Sequence, residues 1–152
     1  MSITGKRRAR DLGTDMKRAI LAVAAGLVLW IMLISVLNRG LRIFVAGYAA
    51  AEATMSFTLG MLVARLLIAA LTSLVAGALV RWLAPVSVRA PLLLGVILLT
   101  AFIPVHARLW SLFPFWYHMV FLVTLIPLVV LGSRLRRPRG GVAGAPAGGA
   151  RT

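Results

Sequence analysis

Residues 19 to 37 carry no charge, and three more apolar runs of similar length follow, set off by arginines, prolines or aromatic clusters. A helix rises 1.5 Å per residue, so roughly 20 apolar residues cross a hydrocarbon core about 30 Å thick. None of the runs alternates strictly, and none keeps a polar helical stripe; helices apolar all round are those of a membrane interior. The pattern predicts spans at about 19–37, 59–80, 91–109 and 114–132. The expected fold class is an all-α, integral membrane four-helix bundle.

The boundaries have local causes. The first span lies between Arg18 and Asn38-Arg39. It is too long for the apolar core of a signal peptide, which favours an uncleaved span. The second ends at Arg81-Trp82, and Ala84-Pro85 stops the helix. Pro91 suits the first turn of the third, where a missing N–H has no partner to lose. Trp110, Phe113, Phe115, Trp116 and Tyr117 mark the fourth as it enters at an interface. Residues 39–57 do not fit a span, because Arg39, Arg42 and Glu52 interrupt Leu41, Ile43, Phe44, Val45 and Tyr48. They read as an outer-face connector, partly helical, at headgroup level.

Charge turns this count into an orientation. The chain has 152 residues, 61% hydrophobic, and its 13% of charged residues is well below the soluble average of about 25%. Its net charge is +14. Thirteen of its 17 Lys/Arg fall before residue 19, between 81 and 89, or after 133, and these stretches alternate with the spans. Basic loops stay in the cytoplasm, so both termini are expected inside. The same distribution argues against nucleic acid as the partner. Residues 1–18 read as a basic cytoplasmic leader, and 133–152 as a basic, Gly/Ala/Pro-rich disordered tail. Arg134, Arg136, Arg137 and Arg139 are placed to meet anionic inner-leaflet lipid.

Chemistry is scarce. There are no cysteines, which removes disulfides, thiol redox and thiolate-bound metals. Asp11, Asp15 and Glu52 are the only carboxylates, too few for paired acid–base work in the membrane. No nucleotide loop or nucleophile elbow is present.

Arg65 is the one charge well inside a span, at roughly 2.5–3.5 kcal/mol on insertion scales for a central arginine. It is expected either to snorkel outward or to contact an ion or ligand, with Glu52 or Tyr117 as partners. Ala69, Ser73 and Gly77 continue its ridge at steps of four, and Ala22 with Gly26 forms a similar patch; such small residues mark helix-packing faces. His106 and His118 flank the turn between spans three and four. With Glu52 they would offer two imidazoles and a carboxylate to zinc, although more often such histidines bond to backbone or lipid. Pro104 and Pro127 free the carbonyls of Thr100 and Val123, so each predicts a kink that the Thr100 and Thr124 hydroxyls are near enough to relieve.

The stretch from Trp110 through Ser-Leu-Phe-Pro-Phe-Trp-Tyr to His118, then Phe121-Leu122 and Ile126-Pro127 through Gly132-Ser133-Arg134, resembles uncharacterised small four-span bacterial inner-membrane proteins. That resemblance implies location and carries no activity. Small multidrug exporters keep a carboxylate in the first span, and vitamin K epoxide reductase-like and disulfide-forming membrane enzymes need cysteines. This chain has neither. The expected role is a non-catalytic accessory or interaction subunit without a cofactor, in a homo-oligomer or larger complex. The alternative is a small transporter or channel component using Arg65 and proline-kinked spans three and four.

Overall fold

The computed structural model describes the backbone of residues 3–135 and the side chains of 13–135. It is all-α: α1 (Ile3–Phe44), α2 (Tyr48–Thr54), α3 (Leu59–Leu83), α4 (Ala90–Arg108) and α5 (Phe115–Leu135). All but α2 contain a segment long and apolar enough to cross a membrane. The expected tail beyond Leu135, with Arg136, Arg137 and Arg139, lies outside the described residues.

The helix ends follow from the chain. α1 continues past Asn38 and Arg39 to Phe44, then turns at Gly47, whose φ of 75° suits glycine. The turn sets α2 running at once from Tyr48. Thr58 caps α3, its hydroxyl accepting from the Met61 N–H at 3.4 Å. At the other end of α3, Arg18 Nε of α1 donates to the Leu83 carbonyl at 2.8 Å, satisfying one of the last-turn acceptors. Pro91 lies in the first turn of α4.

The four long helices form a ring in the order α1, α3, α5, α4, closing back on α1. Arg18 meets Leu83 while Trp30 meets Ser73, so α1 and α3 are antiparallel. Leu62 packs with Tyr117 and Gly77 lies against Val129, so α3 and α5 are parallel neighbours. The arrangement gathers Arg18, Arg81, Arg89 and Arg134 at one end. Arg42, Glu52, Arg65, His106 and His118 are towards the other.

Lipid tails are as apolar as leucine, so close packing rather than water exclusion must hold these helices together. α3 and α5 make the most extensive contact, and glycine permits it. A Cβ at Gly77 would strike the Val129 carbonyl, and one at Gly132 would strike the Leu74 carbonyl. Gly26 of α1 similarly admits Val80 and Leu94, whose methyls lie 2.5 and 2.9 Å from where its Cβ would be. Ala22, Gly26, Ala69, Ser73 and Gly77 are all buried. Ser73 has a second use: it accepts from the buried Trp30 Nε1 at 3.1 Å and donates to the Ala69 carbonyl at 2.7 Å. Val80, Leu94, Leu98, Leu125 and Val129 fill the main core.

Pro104 and Pro127 are exposed on the outer faces of α4 and α5, and both helices run through them. The expected repair at Pro127 takes another form. Thr124 donates to the Val120 carbonyl at 2.6 Å, one turn upstream, rather than to the carbonyl that the proline frees.

Candidate functional site

A second, smaller core of Leu62, Phe113 and Tyr117 sits at the end of the bundle opposite Arg18. Between it and the main core lies a cavity of about 220 Å³. Arg65 of α3, Asn38 of α1, His106 of α4 and Tyr117 of α5 all line it, so each long helix contributes one polar side chain. Phe102, Phe113 and Phe121 supply apolar wall.

Arg65 is half-buried and held on three sides. Its Nη1 donates to the Tyr48 hydroxyl at 3.1 Å, and its Cζ lies 4.9 Å from the centroid of the Phe57 ring. The Tyr117 hydroxyl also interacts with the guanidinium. These partners are neutral hydroxyls and a ring face, which orient the charge without cancelling it. Tyr48 is only 1% exposed, so α2 is anchored over this end of the bundle by the residue that binds Arg65.

Of the partners expected for Arg65, Tyr117 is at the site and Glu52 is not paired with it. Glu52 forms an ion pair with Arg42 across the α1–α2 turn. The two residues are ten apart, and the reversal at Gly47 brings them together before any longer-range contact is needed.

The short turn between α4 and α5 brings the two histidines together, as tight hairpin geometry suggests. They bond to each other, Nδ1 to Nδ1, at 2.8 Å. That contact uses a nitrogen on each ring, and Glu52 is engaged elsewhere, so the expected ligand trio does not assemble. Among the described residues no three His, Cys, Asp or Glu side chains converge as metal ligands. Both rings sit inside an aromatic box: His106 stacks with Tyr117 at 6.0 Å between centroids, and His118 with Trp110 at 5.0 Å. His118 is fully buried, and its Nε2 has no hydrogen-bond partner.

Asn38, Tyr48 and Phe57 were not singled out by sequence as site residues. Asn38 reads as a span end, and Tyr48 as an interface aromatic. The backbone gives both their place: α1 stays helical past Asn38, and the turn at Gly47 sends Tyr48 inward. Asn38 Nδ2 donates to the Ile34 carbonyl at 2.8 Å, while its Oδ1 is buried without a partner.

No protein-family model matches the chain, and no curated protein or solved structure matches it significantly. Its fold and site therefore define only a class, an all-α four-span integral membrane protein. Among the described residues it carries no obvious catalytic constellation.

Proposed function

We propose that the protein is a non-catalytic accessory or interaction subunit of a bacterial inner membrane, acting in a homo-oligomer or a larger membrane complex. The observation that carries this reading is a stripe on α1. Leu21, Ala24, Val28, Ile31 and Ser35 are all exposed and follow one another at alternating steps of three and four. That is the spacing of a helix–helix seam, with small residues at two of its five positions. The chain has no cysteine, so a single Ala24→Cys gives a clean probe. Oxidative cross-linking in native membranes should yield one larger species, a dimer or a heteromeric adduct, and Leu21→Cys should behave alike. The reading fails if both variants remain monomeric while cysteines on the outer face of α5 behave no differently.

In this proposal both termini are cytoplasmic, residues 39–57 form an outer-face interfacial connector, and Arg134, Arg136, Arg137 and Arg139 meet anionic inner-leaflet lipid. Support comes from the common end shared by Arg18, Arg81, Arg89 and Arg134. The bacterial setting rests on the resemblance of the Trp110–Arg134 region.

The cavity around Arg65 favours a second reading, a transporter or channel component. Its weakness is the other half of the bundle, where Gly77 lies against Val129 and Gly132 against Leu74. Both prolines also face outward rather than toward the cavity. If Arg65→Ala and Arg65→Lys leave solute flux through reconstituted vesicles at the wild-type level, this alternative has no remaining support.

A further inference from the structure

The four ring contacts are unequal, and the seam between α1 and α4 is the least extensive of them. Midway along, that seam is tight: Gly26 admits Leu94, and the Trp30 and Phe102 rings meet edge to face at 5.0 Å. Toward the basic end it opens, where Ala19 of α1 and Ala90 of α4 bring only single methyl groups to the seam. Two hollows of about 420 and 510 Å³ lie there, both lined by Met16, Ala19, Ser87 and Arg89, so they form one groove. Its ends are unlike. The polar end lies at the α3–α4 turn and holds Arg18, Arg89 and Asp15. The apolar end runs between Ile20 of α1 and Leu92, Leu93 and Val96 of α4, all exposed. From Arg89 to Val96 the helix rises roughly 10 Å, at 1.5 Å per residue, so this end reaches into the hydrocarbon layer.

The charges at the polar end are not cancelled by contact. Among the described residues the one ion pair is Arg42–Glu52, at the far end of the bundle. Arg18 is held in place by its Nε bond to the Leu83 carbonyl, which uses one of the five N–H donors of a guanidinium. Two arginines and Asp15 leave one net positive charge, and Ser87 adds a hydroxyl to the lining. That balance matches a phosphodiester, which carries a single negative charge, and basic pockets between spans are where lipid headgroups bind. A helix of a second copy would fill the apolar end but bring no anion to spare. The chain has only three acidic residues, and Glu52 belongs to the opposite face.

We infer that this groove seats one monoanionic glycerophospholipid, its phosphate between Arg18 and Arg89 and an acyl chain along Leu93 and Val96. The site rests on the basic end lying at headgroup level, as in the leaflet contact proposed for Arg134, Arg136, Arg137 and Arg139, but none of those four lines it. An acyl chain in a bilayer is already out of water, so the headgroup charge supplies the preference and the trough fixes the position.

The test titrates the full chain, purified in a neutral detergent, with phosphatidylglycerol and counts bound lipid by native mass spectrometry. One phosphatidylglycerol per chain should be held about tenfold or more tightly than phosphatidylcholine, as expected for two basic residues at a headgroup. Arg89→Gln should weaken that binding about fivefold and leave phosphatidylcholine unchanged. Arg134→Gln, at the same end but outside the groove, should spare the tight site and reduce only the weaker adducts, which read the leaflet contact separately. Equal affinity for the two lipids on the wild-type protein overturns the proposal and needs no variant to fold. Equal loss in Arg89→Gln and Arg134→Gln also overturns it, leaving only diffuse attraction to the leaflet. Glycerophosphoglycerol, the same headgroup without chains, should not displace the lipid; competition as strong as the lipid's own would make this a free-phosphate site and sink the assignment. A dimer free of lipid would give the groove to a second copy, with the same consequence.

Discussion

At Gly77 and Gly132 the separation of α3 from α5 is decided by the absence of two methyl groups. Gly77→Ala or Gly132→Ala would drive a Cβ into backbone that has no rotamer to change. Each should destabilise the protein by about 1–3 kcal/mol, the usual range for overpacking, read by thermal unfolding in detergent. Gly60→Ala on the same α3 helix meets nothing within 4 Å and should be neutral to slightly stabilising. Ser73→Ala leaves the buried Trp30 N–H without an acceptor, at a cost of about 1–3 kcal/mol, with a shift in tryptophan emission as its own signature. Gly77 and Ser73 were legible in the sequence because close helix approach selects small residues at a fixed step, whereas Gly132 falls at the expected end of the fourth span and its packing role was not. Arg65 was legible because a charge inside an apolar run is costly. Asn38 and Tyr48 were not, since their importance depends on where the backbone turns. Nothing in an isolated asparagine at a span end says that its oxygen will be buried without a partner.

Among the elements, the connector departs furthest from what hydropathy conveys. Charged residues mark where a chain leaves the hydrocarbon, which is a different event from where its helix ends; α1 passes Arg39 and Arg42 and stays helical to Phe44. The short α2 then depends on two contacts of unequal weight. Arg42–Glu52 is a surface pair screened by solvent, and Arg42→Ala should leave stability almost unchanged. Tyr48 is buried and bonded to Arg65, so Tyr48→Ala should release the element. Hydrogen exchange of the 48–54 amides should then accelerate while α3 stays protected. Equal acceleration in the two variants would show that the ion pair matters as much as the anchor. The α4–α5 turn was more legible than the connector. Its two histidines flank a short aromatic loop, and any tight reversal brings them near each other. Which nitrogens meet, and that Glu52 stays away, required three-dimensional placement.

For the whole molecule, the alternation of basic and apolar segments gives the strongest expectation. Reporter fusions after Arg139 and within residues 84–89 should be cytoplasmic, and a fusion in the turn at 110–114 should be periplasmic. Reversed labelling would invert the proposed orientation without altering the fold. The ring order also has a consequence for biogenesis. Consecutive α3 and α4 sit diagonally across the ring, while the tightest contact joins α3 to α5. A chain made from its N-terminus can pair α1 with α3 early, but the glycine surface of α3 must wait until the last span has entered the membrane. Most of the bundle's mechanical coherence therefore arrives with the final helix, and until then a ribosome-bound intermediate offers quality-control machinery an unfinished face to inspect.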